Sequence, residues 1–104
     1  MGSRFKNRNR MEIVADLLTI AKSGALKTHL MYRANLSYVM VTDYLKFLKG
    51  AGLIKEIFDS DGTKLYHTTP RGLRYLQVYD SLQNITAFPT QRVKENDGNS
   101  DPLL

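Results

Sequence analysis

The 104-residue chain contains no cysteine. Disulfides, cysteine-based zinc sites and thiol chemistry are therefore excluded, and the composition fits a cytosolic protein. No apolar run approaches the ~20 residues needed to span a bilayer, so no membrane association is expected. The basic beginning leads into an amphipathic segment rather than the uniformly apolar one of a secretory signal. The chain also lacks a glycine-rich phosphate loop, a nucleophile elbow and a His-rich zinc motif. His29 and His67 stand apart from any carboxylate or cysteine in sequence and read as structural residues. Asp59-x-Asp61-Gly62 echoes the start of a calcium loop, but Thr69 and Pro70 occupy the region where its late acidic ligand belongs. A turn is the better reading. Neither an enzyme nor a cofactor or metal site is expected.

What remains is an ordinary globular composition, 42% hydrophobic and 24% charged, on a length that suits one domain. At that size every helix must contribute to one shared core. The net charge is +5 and is unevenly spread. Residues 1–86 carry 13 Lys/Arg against 7 Asp/Glu, a balance of +6, while residues 87–104 carry 2 against 3, a balance of −1. The foldable part is the basic part, which raises the expectation of a polyanionic partner.

Three regions follow. Residues 1–10 form a basic N-terminal arm with Arg4, Lys6, Arg8 and Arg10, and Gly2-Ser3 has the composition of a cloning remnant. Residues 11–86 carry the folded pattern. Val14, Leu17, Leu18 and Ala21 recur at helical spacing, and Ser23-Gly24 ends that first helix. A short second helix covers about Lys27 to Ala34, with Leu30, Met31 and Ala34 toward the core. Asn35 suits the positive φ that closes it, and Ser37 suits the N-cap of the next. The third helix runs from about Tyr38 to Lys49, with Val41, Tyr44, Leu45 and Leu48 inward. Leu53–Phe58 and Lys64–Thr68 read as strands joined at Asp61-Gly62, a strong hairpin signal. Thr69 caps a fourth helix with Pro70 at its first position, running to roughly Asn84. Residues 87–104 turn polar and irregular and are expected to be disordered. There is no internal repeat. Helix, helix, helix, hairpin, helix is an α+β, mostly helical order, and it describes a winged helix-turn-helix.

The residues that carry this order also resemble a known group. The run Lys27-Thr28-x-Leu30-Met31-Tyr32-x-Ala34-Asn35-Leu36-Ser37-Tyr38, then Tyr44-Leu45-x-x-Leu48 and Gly52-Leu53-Ile54, is similar to the archaeal winged helix-turn-helix DNA-binding proteins. Tyr66-His67-Thr68-Thr69-Pro70-Arg71-Gly72 resembles their strand-to-helix step. The likeness covers about Met11 to Leu82. It implies a winged-helix fold and a double-stranded DNA partner, in chromatin-like or regulator-like roles. Some members pair a long last helix as an antiparallel coiled coil, whereas here that helix is expected to stop near Ile85.

A major groove admits one helix, whose exposed side chains read the bases. On the third helix the outward positions are Tyr38, Val39, Thr42, Asp43, Lys46 and Lys49. Ser37, Tyr38 and Thr42 are placed for base contact, and Lys46 and Lys49 for phosphates. Lys27, Thr28 and Arg33 of the second helix would hold the backbone. Asp43 is the awkward residue, and Asp59 and Asp61 make the wing tip a poor partner for phosphate. The arm is the better source of further minor-groove or backbone contact. On the fourth helix, Leu73 and Leu76 are expected to seal the core. Tyr75, Val78, Tyr79, Leu82 and Ile85 then form a second stripe that suits a homodimer. The alternative is that Phe5 or Phe88 folds back over that stripe. The functional expectation is a sequence-preferring DNA-binding transcriptional regulator, cytoplasmic and nucleoid-associated. The rival is a winged-helix protein-interaction module within a larger assembly, since fold alone does not settle function. RNA binding is a weaker third reading.

Overall fold

A computed structural model of the chain describes residues 8–86. Residues 1–7 of the expected arm and the expected disordered tail 87–104 lie outside the described residues. The elements are α1 (Arg10–Ile20), a 3-10 turn (Ala21–Ser23), α2 (Lys27–Arg33), α3 (Tyr38–Gly50), β1 (Ile54–Phe58), β2 (Lys64–Thr68) and α4 (Pro70–Thr86).

α1, α3 and α4 start where a side chain takes up orphaned N–H groups, whereas α2 follows Leu26 with no side-chain cap. Asn9 caps α1: its side chain accepts from the Glu12 N–H at 2.9 Å, and Glu12 accepts from the Asn9 N–H at 3.1 Å. Ser37 Oγ accepts from the Met40 N–H at 3.1 Å at the start of α3. Thr69 Oγ1 accepts from the Gly72 N–H at 3.0 Å and donates to the Gly52 carbonyl at 2.7 Å. That hydroxyl thus fastens the start of α4 to the exit of α3. Between α2 and α3 the chain reverses at Asn35, whose φ is 59°. The short asparagine side chain tolerates this left-handed turn better than most residues.

Arg8 is part of this frame rather than of a free arm. Its guanidinium donates to Asp16 at 2.8 Å and to the Ala34 carbonyl. Ala34 is the C-cap of α2, so one side chain ties the beginning of the domain to an orphaned carbonyl at a helix end.

The core collects Val14, Leu17, Leu18 and Ala21 from α1, Leu30 and Ala34 from α2, Val41, Leu45 and Leu48 from α3, and Leu76 from α4. Ile13 and Ala15 are buried too, so α1 is enclosed on a wider arc than one stripe predicts. Leu17, Leu18, Leu30, Leu48 and Val41 are the largest fully buried side chains. Each such aliphatic side chain contributes about 1.5–3 kcal/mol of transfer free energy.

β1 and β2 pair antiparallel from Ile54↔Thr68 to Phe58↔Lys64, leaving the loop 59–63 as the wing tip. A second, single-residue bridge holds the wing to the body. The Ala25 N–H donates to the Tyr66 carbonyl at 3.0 Å, and the Tyr66 N–H donates to Ala25 at 2.8 Å. The Thr68 hydroxyl donates to the Leu18 carbonyl at 2.6 Å, fixing the far end of β2 on α1.

The face of α4 differs from the expected one. Leu73, expected to seal the core, is 43% exposed. Tyr75 and Tyr79, expected on the outer stripe, are half-buried against the core and stack on each other at 6.4 Å. The cause is at Gly72, where the helix meets the Leu53 backbone just ahead of β1. A Cβ there would lie 2.3 Å from the Leu53 carbonyl oxygen, so the closest helix–backbone approach falls at Gly72. The inward arc then runs through positions 72, 75, 76 and 79, and Leu73 turns away.

Candidate nucleic-acid interface

α2, the Asn35 turn and α3 place two helices in succession on one side of the molecule, with the wing joined to the end of α3. The alternation of core contacts on α3 turns Val41, Leu45 and Leu48 inward and leaves Tyr44 half-buried. Successive residues step 100° around the axis, so the remaining positions divide into two flanks.

The first flank carries the predicted contact residues. Ser37 and Lys46 are exposed, and Tyr38 is 63% exposed. Lys27, the first residue of α2, lies with Nζ 4.1 Å from the Tyr38 ring centroid. An ammonium over an aromatic face is attractive, and it joins the leading ends of the two helices. The same ammonium lowers the Tyr38 phenol from its usual pKa, first as hydrogen-bond donor and then as a positive charge. Thr28 and Arg33 of α2 are exposed. Lys27 and Thr28 also line a cleft of about 350 Å³ with Thr63 and Lys64 of the wing. Lys64 therefore joins Lys27, a neighbourhood that its place in the sequence, 37 residues further along, does not reveal.

Two predicted contact residues are otherwise engaged. Lys49 Nζ lies 2.6 Å from Glu56 Oε2, and Lys64 lies 3.6 Å from the same oxygen. Hydrogen bonding from Lys49, more than any other influence, holds Glu56 below its usual carboxylate pKa. Thr42 is half-buried, and its Oγ1 is buried without a hydrogen-bond partner. Its hydroxyl does not face solvent as the helical wheel suggested.

The second flank was missing from the sequence reading. Met40 and Phe47 are exposed, Phe47 at 58%. They were not assigned because the buried stripe accounted for the apolar residues of α3 without them. Seven residues apart and about 100° around the axis from Val41 and Leu48, they could have been found by that spacing alone. With Asp43 they give α3 a mixed rather than uniformly basic outer surface.

The wing tip is acidic and ordered by its own hydrogen bonds. The Thr63 hydroxyl donates to Asp61 Oδ1 at 2.7 Å, and the Asp61 and Thr63 N–H groups each donate to Asp59 Oδ1 at 3.1 Å. Hydrogen bonding within this loop, from Asp59 first and then Thr63, pulls the Asp61 pKa down to about 2. The tip therefore stays negative at neutral pH.

Among the described residues no group of three or more His, Cys, Asp or Glu is placed to hold a metal ion. No described helix is long and apolar enough to cross a membrane.

The chain is similar to known proteins in sequence and in fold. An uncharacterized protein of Methanocaldococcus jannaschii is 39% identical over 95 residues, covering 84% of this chain and 93% of that protein. Among solved structures, Sso10a-2, a DNA-binding protein from Sulfolobus solfataricus, is 26% identical with a TM-score of 0.65, over 75% of this chain and 81% of that one. MepR, a transcription regulator of the Staphylococcus aureus multidrug efflux pump MepA, superposes with a TM-score of 0.67 at 13% identity, over 92% of this chain and 71% of that one. At that identity the likeness is one of fold. The order of helices, the capped turn before α3 and the anchored hairpin agree with the match of residues 7–87 to the winged helix-turn-helix sequence family, and the chain belongs to that family.

Proposed function

We propose that the chain is a sequence-preferring double-stranded DNA-binding protein that regulates transcription. It acts by binding rather than catalysis, in the cytoplasm on nucleoid DNA. α3 enters the major groove with Ser37 and Tyr38 toward the bases and Lys46 toward phosphate, while the buried hydroxyl of Thr42 takes no part. Lys27, Thr28 and Arg33 fix the backbone, and Lys49 joins them when it leaves Glu56. A homodimer through α4, using the exposed Val78, Leu82 and Ile85 of the expected stripe, presents two reading heads to a two-fold site. The observation that carries this reading is the first flank of α3, where the exposed Tyr38 and Lys46 are flanked by Lys27 at the start of α2. The DNA-binding character of Sso10a-2, similar across most of its length, supports it.

The test is a mobility-shift titration against random and genomic duplex across a salt series. Affinity should fall steeply with salt, because bound lysines and arginines release counterions. Lys46→Ala should weaken all sequences alike and lower the salt slope by about 1. Tyr38→Ala should change sequence preference more than Lys46→Ala does. Equal, uniform losses from the two variants would remove Tyr38 from base readout.

A second reading, a protein-docking module, is favoured by one observation: Met40, Asp43 and Phe47 make the other flank of α3 mixed and partly apolar. A protein indifferent to duplex at low ionic strength would select it.

A further inference from the structure

The cleft of about 350 Å³ between the start of α2 and the wing has cations on both walls, Lys27 and Lys64, and the buried Tyr66 in its lining. Each lysine has an exposed aromatic ring beside it. Lys27 sits over the Tyr38 ring. Lys64 is the register partner of Phe58, and directly opposed residues of an antiparallel pair share one face of the ribbon. Phe58 is 62% exposed, and the duplex reading gives it no task.

We propose that this cleft holds a single strand of DNA, its phosphates on Lys27 and Lys64 and its unpaired bases stacked on Tyr38 and Phe58. A cationic groove flanked by aromatic rings is how single strands are held without regard to sequence, because every unpaired base offers a ring face. Phe58 has no polar side-chain atom, so it can neither bind phosphate nor read a base edge. A wedge driven into a duplex is its other use. Residues 59–63 extend beyond Phe58, however, and they carry Asp59 and Asp61, so a duplex would meet those carboxylates before the ring.

Charge in the cleft favours a polyanion. Lys27 has no carboxylate partner among the described residues. Lys64 reaches Glu56 at 3.6 Å, whereas Lys49 holds the same oxygen at 2.6 Å, so Lys64 is the looser partner. Asp59 and Asp61 accept from N–H groups of their own loop, which offsets part of their charge. DNA rather than RNA is the occupant because Tyr38 and Lys27 also belong to the proposed duplex surface. A strand parted from its complement can therefore pass from α3 into the cleft, and the two bound forms compete for Tyr38.

The test is fluorescence anisotropy at low ionic strength with a labelled oligothymidylate of about 16 nucleotides, which forms no duplex with itself, beside a labelled duplex. The full-length protein should bind the oligothymidylate, and Lys64→Ala should lower the salt slope by about 0.7. Phe58→Ala should weaken that binding about tenfold while leaving duplex affinity and circular dichroism unchanged, and Phe58→Tyr should restore it. Absence of oligothymidylate binding, or binding indifferent to Phe58→Ala, would overturn the proposal. So would an equal loss on duplex, which would make Phe58 a wedge, or a preference for oligouridylate, which would make the partner RNA. Oligothymidylate binding by a protein that ignores duplex would support the cleft and remove the duplex reading instead.

Discussion

Gly72 and Gly50 show how two chemically identical substitutions take opposite signs. Replacing a helical glycine with alanine removes backbone freedom from the unfolded chain and stabilises by about 0.4–1 kcal/mol where space allows. At Gly50 an added Cβ meets nothing within 4 Å, so Gly50→Ala should raise the urea midpoint. At Gly72 the Cβ would lie 2.3 Å from the Leu53 carbonyl oxygen and 2.6 Å from Thr68 Cγ2. The first of these is backbone and cannot rotate away. Overpacking of this kind costs about 1–3 kcal/mol, more than the entropy gain, so Gly72→Ala should lower the midpoint. Matching shifts for both variants would show that α4 can slide away from β1. None of this is readable from the sequence, where Gly72 looks like a weak spot in a helix. Caps and turns are readable, because Asn35, Ser37 and Thr69 act on neighbours two or three residues away. Thr42, Lys49 and Leu73 escaped the reading because their surroundings come from distant segments. Glu56 lies seven positions beyond Lys49 and across a turn, and Leu73 is displaced by a contact to Leu53.

The wing and α3 are coupled through Glu56. One carboxylate engages both Lys49 of α3 and Lys64 of β2, and all three side chains are solvent-accessible. Such a contact is screened by salt, so its chief effect is to occupy two cations rather than to hold the fold. The wing is held instead by the Ala25–Tyr66 bridge and by the Thr68 hydroxyl on Leu18. Glu56→Gln should therefore leave the thermal midpoint nearly unchanged. If DNA lies along α3, it should also tighten duplex binding several-fold and steepen the salt dependence, as released lysines reach phosphates. Binding unchanged at low salt would mean that neither lysine faces DNA. Element order and type were legible because each element carries its own signal: helical stripes, an Asp-Gly turn, a Thr-Pro helix start. The ends moved by one to two residues. α1 starts at Arg10 because Asn9 and Glu12 close a capping box, and α4 continues to Thr86. The pairing of Glu56 was not legible, because it depends on where the hairpin lands against α3.

Past Tyr79, α4 leaves the body of the molecule. Leu76 is its last buried residue and Tyr79 its last half-buried one, and every position from Asp80 to Ile85 is exposed. Val78 and Leu82 are exposed, and Ile85 is exposed at 76%. The three fall within about 60° of one another around the helix at 100° per residue, so they form a narrow strip. A strip of large apolar side chains on a helix that has already packed its other face calls for a second partner. The fold as a whole was legible from the sequence, and so was the existence of this second strip. Its membership was not, since Tyr75 and Tyr79 went to the core. In a two-fold pair each α4 would lay Val78, Leu82 and Ile85 against the same residues of its partner subunit, an isologous contact. The double substitution Leu82→Glu with Ile85→Glu places like charges opposite one another there and removes little from the core. By light scattering at tens of micromolar, the unsubstituted chain should have twice its monomer mass and the variant the monomer mass, with equal helical content. The variant should also bind a two-fold duplex site more weakly than the parent while matching it on a single half-site, because only the paired heads gain from linkage. A parent chain already monomeric would return the strip to some other partner and leave α3 to read a half-site alone.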